Sequence, residues 1–514
     1  MPSSTLRPHH LTGKNKLLWL GALLAVLAGW PEAGVGGSPA GGRGAVVKQG
    51  ELPAEELAEL LKKPLSLEAC LAIAQSHNLA LKQFQRQRDI AAALVSESYG
   101  SYFPLFTVTS SHRAAVERTF ELVDNGVTTR ANRIKVDNIA LAMEQKIPSG
   151  ARLRFINEID RDTNNDDRLE DLPTRTFRVE VVQPLLQNIG PKFANASLRA
   201  ARKQLAIEEL KLEDFRLQTL FAVKVAYYNV LRLRQVINIH RAALQHDSLL
   251  VQASESKVVA KIATRRDVLS AEIRVQEDQA ALLNAETDYQ TALDQLKEQM
   301  GLPITLPITI AADTLGFRPP LLNEEEWIKL ALQNNPALRA AELTISLRDL
   351  QASVAGNRRL PVFNAVGSYA RSFDRDEERD PNGSSWSIGL NLSYPFLAPT
   401  YAAEAEIARL ERSRAEDAYQ TLQRQTILAV RQIHRKLQNS IARLAVLQRS
   451  ITAAREKVEF ATTMFNMGRA SNLDITDAIE ALLRAETGYI EELVDFHVQF
   501  ALLERLAKRS FLKE

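Results

Sequence analysis

A seven-residue apolar repeat, present twice in the chain, constrains the fold more than any other feature of the sequence. The first copy consists of Val223, Val230, Ile237, Leu244, Val251 and Val258. The second copy lies 207 positions further on and consists of Val430, Leu437, Leu444, Ile451, Val458 and Phe465. A strict seven-residue repeat keeps one apolar seam turned towards a partner helix and is typical of supercoiled helices. The sequence therefore predicts two long helices that pack along such a seam.

Each repeat stops and then resumes at once. Beyond the break, Val268, Val275, Leu282, Tyr289 and Leu296 match Ile475, Leu482, Tyr489, Phe496 and Leu503, again 207 residues apart. In the second half a flanking seam accompanies the repeat and consists of Ile433, Leu447, Ala454 and Ala461. The breaks lie in "VVAKIATRRDVLSAEI" (258–273) and "FNMGRASNLDITDAIE" (465–480). A helix that resumes with its seam intact has reversed direction, so we predict antiparallel hairpins at 195–300 and 401–508.

A second repeat precedes each hairpin and leads into predicted β-strands. The segments 68–82 and 325–339 resemble each other at an offset of 257, which also carries Pro104 onto Pro361. After these prolines the pattern changes to alternation. In "SWSIGLNLSYPF" (385–396), apolar residues occupy one face and small polar residues the other. Such a strand is typical of a membrane barrel around a water-filled lumen, and a strand of a soluble sandwich is the alternative.

The first half is longer than the second in the region of the strands. The segment 176–186 corresponds to the strand at 386–396, but the offset that joins them is 211 instead of 257, which leaves 46 additional residues in the first half. Part of this excess, 134–160, alternates on both sides of a Pro-Ser-Gly turn and predicts a strand–turn–strand. Either each chain supplies six strands to such a barrel, or this hairpin lies outside the barrel; we favour the added strands. Two polar stretches, 160–171 and 374–383, are predicted loops.

The N-terminus predicts export. Basic residues precede an apolar run at 17–29, which is shorter than the ~20 residues that a membrane-spanning helix needs. We therefore predict a signal peptide and leader at 1–40, followed by a flexible segment at 41–63. No later segment is long and apolar enough to cross a bilayer as a helix, so insertion of the mature protein would have to use strands.

Composition and motifs argue against nucleic-acid binding and against an enzyme. The net charge is only +2 although 25% of the residues are charged, so nothing indicates a polyanionic partner. The single cysteine, Cys70, excludes an internal disulfide and any multi-cysteine metal site. The sequence contains no phosphate-binding Gly-rich loop, no nucleophile elbow and no His-Glu-x-x-His motif. We expect no catalytic site, no cofactor and no bound metal.

Six motifs, taken in their order and with their doubling, make the chain resemble the TolC family of outer-membrane efflux proteins. The motifs are "NNPALR", "LPVF", "VVQPLL", "LSYPFL", "AYYNVLRLRQ" and "MGRASNLDITDA", and the likeness covers residues 64–510. The resemblance implies an α+β membrane protein made of two tandem structural repeats. Three copies would share one outer-membrane β-barrel and one periplasmic α-barrel tunnel, so it also implies a homotrimer in contact with outer-membrane lipid.

In this architecture the repeats occupy 64–300 and 321–510 and are joined by a linker at 301–320. Each repeat would consist of a helix, then barrel strands, at 104–186 or 361–396, and then one of the two hairpins. The implied function is a passive exit duct in the outer membrane that extends into the periplasm. Such ducts dock onto a periplasmic adaptor (a membrane fusion protein) and an inner-membrane pump, in a tripartite efflux or type I secretion system.

A non-pore periplasmic coiled-coil scaffold or adhesin stalk is the alternative function. It would share the signal peptide, the heptads and the lack of a catalytic site, but it has no need of a lipid-facing strand. The sequence does not identify the cargo, which in this family is a drug, a metal or a polypeptide.

The resemblance also assigns roles to the two hairpin turns, which form the periplasmic mouth in relatives. The implied adaptor-docking residues are Lys261, Ala263, Thr264, Met467, Gly468, Arg469, Ala470 and Ser471. The acidic positions of the family pattern are matched by Asp474 and Asp477 in the second turn and by Asp267 in the first. Three-fold symmetry would set these carboxylates into rings, where like charges raise one another's pKa and attract cations. We therefore predict an aperture constriction, with helix capping as the alternative role of Asp474.

The first turn departs from the family pattern. Lys261 occupies the place of the glycine, and Arg265 and Arg266 precede Asp267. Two roles remain open for these arginines. They either latch the mouth by pairing with carboxylates of a neighbouring hairpin, or they are solvated charges of little energetic weight.

Overall fold

Long helices and one antiparallel sheet make up most of the protein. The computed structural model describes residues 63–123, 126–164, 173–261, 264–311, 316–317, 323–373, 383–394, 396 and 399–508. The predicted signal peptide, the leader and the segment that follows them up to residue 62 lie outside these ranges, and so do parts of the predicted linker at 301–320.

The elements follow one another in the same order in both halves. The first half contains α1 (Leu67–His77), α2 (Leu79–Gly100), β1 (Leu105–Val123), β2 (Gly126–Lys146), β3 (Arg152–Asn164), β4 (Pro173–Pro184), α3 (Gly190–Ala194), α4 (Ala196–Val259) and α5 (Arg265–Met300). The second half contains α6 (Glu324–Asn334), α7 (Pro336–Asn357), β5 (Val362–Phe373), β6 (Ser384–Ser393), α8 (Pro399–Asn466) and α9 (Asn472–Ala507). The predicted α+β fold with two tandem repeats is confirmed.

The short helices of the two halves begin and end at equivalent residues. Helices α1 and α2 recur as α6 and α7, with every boundary shifted by 257 residues. An asparagine with extended backbone separates the two helices of each pair. The side chain of Asn78 accepts a hydrogen bond from the N–H of Leu81 at 2.9 Å, and that of Asn335 accepts one from Ala337 at 2.9 Å. Since asparagine favours the position before a helix, each asparagine ends one helix and starts the next.

The long helices form two antiparallel hairpins, as the sequence predicts. Helices α5 and α9 each contain 36 residues, and their ends are 207 positions apart. Helix α4 contains 64 residues and α8 contains 68; at ~1.5 Å per residue each is ~100 Å long. The seam residues Val230, Val430 and Leu437 are fully buried, and full burial of one such side chain contributes ~1.5–3 kcal/mol. None of the described helices combines the length and the apolar character needed to span a membrane.

Each hairpin packs against a short helix of its own half. In the first half Cys70 of α1 shares a core with Leu296 of α5. In the second half Trp327 of α6 packs with Phe496 of α9. Burial raises the pKa of the Cys70 thiol to about 12, so this cysteine is a packed, unreactive side chain.

The strands form one antiparallel sheet in the order β1-β2-β3-β4-β5-β6. Strand β4 pairs with β5, with Val182 opposite Val366, so the sheet joins the two halves of the chain. The hairpin predicted at 134–160 is β2–β3, in which Ile139 lies opposite Ile159, and it has a neighbouring strand on each side. The described part of the chain thus places six strands in this sheet, the added hairpin included. That these added strands belong to the barrel wall stays a prediction.

One predicted loop begins as a strand. Residues 160–164 belong to β3, which continues alongside the long strand β2 and brings Asp162 opposite Val136. The amide of Asn138 donates to Asp160 Oδ1 at 2.6 Å across the two strands. The prediction of a loop is therefore wrong for these residues, because pairing with β2 outweighs their polar character. Residues 165–172 and 374–382 lie outside the described ranges.

A buried ion pair between α4 and α9 generates the first prediction. Lys224 Nζ lies 2.6 Å from Glu504 Oε2, and the side chains are 11% and 5% exposed. Lys224→Met leaves a buried carboxylate without this charge, so we expect a loss of ~3–5 kcal/mol in the free energy of unfolding. The double variant Lys224→Met/Glu504→Leu should recover most of the loss, because neither charge is then buried.

Chemical denaturation of the detergent-solubilised protein measures these free energies. The matched control is the more exposed pair Arg455–Glu486, which joins α8 to α9 at 2.8 Å. Arg455→Met should cost less than ~1 kcal/mol, as surface ion pairs do. A double variant no more stable than Lys224→Met would contradict the expected coupling.

Candidate functional site

The turns of the two hairpins lie side by side and are joined by side-chain hydrogen bonds. Asn472, the first residue of α9, donates from Nδ2 to Ser254 Oγ at 2.8 Å and to the carbonyl oxygen of Asp267 at 3.0 Å. Lys257 Nζ donates to the carbonyl oxygen of Phe465. Because these bonds join α4 and α5 to α8 and α9, the two turns predicted from sequence form one continuous surface.

An apolar cluster drawn from all four long helices supports the turns. Its buried members are Ala243, Leu250, Ala271, Ala461, Phe465, Ile475, Ala478 and Ile479. Alanine side chains are short, so they let the helix backbones approach each other closely. The exposed residues of the turns are therefore carried on a packed base.

Both hairpins turn through a residue in the left-handed region. Lys261 has φ of 60° and Gly468 has φ of 73°, and the two positions are equivalent at the offset of 207. The N–H of Lys261 donates to the carbonyl oxygen of Val258 at 2.9 Å, and that of Gly468 donates to Phe465 at 3.0 Å. A left-handed backbone is natural for glycine but costs a residue with a Cβ about 1–2 kcal/mol. The first turn therefore carries backbone strain that the second avoids.

Asp267 and Asp474 each close a capping box at the start of the returning helix. The N–H and the hydroxyl of Thr264 both donate to Asp267 Oδ2 at 2.8 Å. The N–H and the hydroxyl of Ser471 both donate to Asp474 Oδ2 at 2.7 Å. These backbone and hydroxyl hydrogen bonds lower the pKa of both carboxyls, and the charge of Arg266 adds to the lowering at Asp267. The capping role that the sequence offered for Asp474 is confirmed, and Asp267 shares it.

Asp477 is held by a cation of the other helix in its hairpin. Its Oδ2 lies 2.5 Å from Lys457 Nζ of α8, and both side chains are exposed. The hydrogen bond from Lys457 lowers the pKa of Asp477, and the positive charge of Lys457 adds to the effect. All three predicted acidic residues thus lie at or beside the turns with their pKa below the ordinary value.

Most of the remaining predicted residues that the structure describes are exposed at the turns. Arg265 and Arg266 are exposed, and neither forms an ion pair with the residues that the structure describes in the same chain. Met467 and Arg469 are exposed, whereas Ala470 packs against the apolar cluster of the turns. Ala263 lies outside the described residues.

Four contributors to this site were not predicted from the sequence: Ser254, Lys257, Lys457 and Asn472. For Ser254 the sequence does contain an indication. At the offset of 207 this residue is equivalent to Ala461, which belongs to the flanking seam of the second half. No local pattern indicates the two lysines, since each meets its partner across a helix interface.

The strain at the first turn generates the second prediction. Lys261→Gly should raise the free energy of unfolding by ~1 kcal/mol, and Gly468→Ala should lower it by ~1 kcal/mol. A Cβ at residue 468 would meet no atom within 4 Å, so the expected loss comes only from the left-handed backbone conformation. Gly488→Ala in the middle of α9 is the control and should stabilise, since its Cβ would make an ordinary 3.7 Å contact with Leu447. Equal effects of the two alanine substitutions in denaturation experiments would contradict this interpretation.

Comparison with known proteins identifies the family. The family model for "Outer membrane efflux protein" matches residues 189–302 and 327–505. The chain is 24% identical over 373 residues to the alkaline protease secretion protein AprF of Pseudomonas aeruginosa, covering 71% of this chain and 76% of that protein. It is 20% identical over 341 residues to the outer membrane protein TolC of Vibrio cholerae, covering 65% of this chain and 77% of that protein.

The fold is also similar to that of the outer membrane protein VceC from Vibrio cholerae. The TM-score is 0.64 at 16% identity, and the similarity covers 87% of this chain and 96% of that one. The two segments matched by the family model together exceed half of the chain. The chain therefore belongs to the outer membrane efflux protein family, whose members are outer-membrane channels and not enzymes.

Proposed function

We propose that three copies of this outer-membrane exit channel close a single passage through which efflux or secretion cargo leaves the cell. Channels of this family are trimeric and work with adaptor and pump partners. The observation that carries the proposal is the open sheet, in which the outer strands β1 and β6 each pair on one side only among the described residues. Backbone N–H and C=O groups cannot remain unpaired in lipid, so these strands need partners from other chains.

The side chains of the outer strands support a position in lipid. On β6, Trp386 and Ile388 are 74% and 80% exposed, and on β1, Phe106 and Val108 are 63% and 72% exposed. Three chains with six strands each would provide eighteen strands, and barrels of about 16–18 strands enclose an aqueous channel. A scaffold or adhesin stalk would need no such sheet, and the family consists of channels, so the stalk alternative is not retained.

We assign the periplasmic aperture to Asp267, Asp474 and Asp477. Their hydrogen bonds lower the pKa of each carboxyl, so the carboxylates stay ionised at neutral and mildly acidic pH. Three-fold repetition would give rings of negative charge, which attract cations and hinder the passage of anions. In the trimer, repulsion between neighbouring carboxylates would act against the lowering of the pKa.

We assign adaptor docking to the outer surface of the turns. Met467 and Leu473 are 62% and 76% exposed, and the basic residues Lys261, Arg265 and Arg469 are exposed in the same two turns. Exposed apolar side chains with a basic rim fit an adaptor segment that combines apolar anchors with acidic residues. Arg265 and Arg266 form no ion pair with the described residues of their own chain, so they are available to an acidic partner, either the adaptor or a neighbouring hairpin.

Closure of the trimer through β1 and β6 is the third prediction. Leu390→Cys on β6 is combined in turn with Phe106→Cys, Val108→Cys or Ser110→Cys on β1, and oxidation of outer-membrane fractions should give covalent dimers and trimers. The native Cys70 does not interfere because it is buried. The control combines Leu390→Cys with Leu153→Cys on β3, a strand with neighbours on both sides. Crosslinking through β3 and not through β1 would show that β1 and β2 lie outside the barrel wall.

The acidic aperture gives the fourth prediction. Asp474→Asn/Asp477→Asn removes two charges per chain while the asparagine at 474 keeps an oxygen for capping. Multivalent cations should block the conductance of the variant in planar bilayers at least about fivefold more weakly, since one unit charge at ~4 Å is worth ~1 kcal/mol even in water. Glu491→Ala/Asp495→Ala removes the same number of charges from α9 away from the turn and is the control. Unchanged block in the aspartate variant would refute the assigned aperture.

A further inference from the structure

A buried polar cluster lies in the first hairpin, on the side of the turn. Asp247 of α4 is fully buried and Asp278 of α5 is 4% exposed. The two carboxyls are close enough to share a hydrogen bond when one of them is protonated. Neither oxygen of Asp247 accepts a hydrogen bond from any donor in the described part of the chain. Burying two unsatisfied carboxyls is costly unless a proton or a counter-charge accompanies them.

The second hairpin shows that the fold does not require this cluster. At the offset of 207, Ala454 and Ala485 occupy the places of Asp247 and Asp278. Likewise Ser254 and Arg274 correspond to Ala461 and Ala481. Ala454, Ala461 and Ala485 are buried in helix contacts, so the same seam packs without any of these polar groups. The first hairpin therefore carries a destabilising feature that its own structural repeat lacks, which points to a role in function.

Charged groups from two helices act on Asp247. Arg274 Nε of α5 lies 3.7 Å from Asp247 Oδ2 and 4.0 Å from Asp278 Oδ1. The same guanidinium contacts Glu480 of α9 at 2.9 Å and Glu277 of its own helix at 3.2 Å. One arginine thus faces four carboxyl groups, while His246, next to Asp247 on α4, is exposed to solvent.

The balance of these groups favours a proton on Asp247. Burial raises the pKa of Asp247 to about 8, with further raising by the hydrogen bond and the charge of Asp278, while Arg274 acts in the opposite direction. Near neutral pH Asp247 therefore holds a proton. With Asp247 neutral, Arg274 remains able to bind Glu480 on the other hairpin.

We propose that Asp247 and Asp278 form a proton-binding site that locks the first hairpin to the second. When the proton leaves, two carboxylates face each other in a buried seam. The repulsion is relieved either by separation of α4 from α5 or by movement of Arg274 towards the pair and away from Glu480. Both movements weaken the contact between α5 and α9, the helices that start at the two turns.

The direction of the pH dependence follows from the raised pKa. The folded packing binds the proton more tightly than the unfolded chain, so the stabilisation is fully present below the ordinary pKa of an aspartate. It decreases as the pH rises and is lost once the pH has passed through about 8. Asp247 lies twelve residues before the end of α4, which is ~18 Å at ~1.5 Å per residue. The proposal concerns the packing of helices and does not depend on the acidic aperture.

The test compares the full-length wild-type protein in detergent with two variants. Asp247→Asn keeps the shape of the protonated carboxyl but cannot titrate, and Asp247→Ala/Asp278→Ala installs the residues of the second hairpin. Asp288→Asn, at an exposed position of α5, is the control. Infrared difference spectra follow the carboxylic-acid C=O band, and hydrogen exchange, corrected for the intrinsic rate, follows α5 and α9 from about pH 6 to about pH 10.

In the wild type and in Asp288→Asn we expect one carboxylic-acid band that disappears near pH 8. Over the same range, amide protection beside the turns should fall by about tenfold, the change in an equilibrium constant that one pKa unit represents. Both variants at Asp247 should lack the band and keep constant protection. Should the double alanine variant fold poorly, Asp247→Asn decides alone. A pH profile of Asp247→Asn identical to that of the wild type, or no acid band titrating near pH 8, overturns the proposal.

Discussion

The apolar seam of the long helices is the interaction on which the rest of the structure depends. Isolated helices gain little stability from their own hydrogen bonds, so rods of this length need a packed face. The seam supplies that face. It extends from the cores that contain Cys70 and Trp327 to the apolar cluster that supports the turns. The turns lie where the seam is interrupted, and the strands lie where the long helices begin. The positions of both are therefore set by helix packing.

Much of the fold could be predicted because the two halves of the chain repeat the same sequence pattern. Helices α5 and α9 begin at equivalent positions because both turns contain the same capping signal. This signal is Thr264 or Ser471 followed three residues later by an aspartate. Contacts between distant segments could not be predicted in this way. The pairing of β4 with β5 and the bond from Asn472 to Ser254 depend on which residues meet across the molecule. The strand at 160–164 was missed for the same reason, because its partner β2 outweighs its local composition.

The aspartates of the turns show how one residue serves structure and charge together. In each capping box both hydrogen bonds reach the same oxygen, Oδ2 of Asp267 or of Asp474. These bonds fix the direction of the side chain and favour its ionised form, so a capping aspartate is also a reliable negative charge. Capping and an acidic aperture are therefore compatible. The sequence alone allows both roles for Asp474, and the structure shows the cap.

The two hairpins share one backbone plan but differ in the chemistry of their interiors. The second has Gly468 at its turn and Ala454 and Ala461 along its flanking seam, so it lacks the backbone strain and the buried carboxyl pair of the first hairpin. The first has Lys261 in a left-handed conformation and the Asp247–Asp278 pair inside its seam. Both features reduce the stability of the first hairpin and have no equivalent in the second. In the proposed trimer, first and second hairpins would alternate around the passage, so each strained hairpin would lie between two that lack this strain. The first hairpins would then move more readily than the second, because Lys261 and the Asp247–Asp278 pair belong to the first repeat.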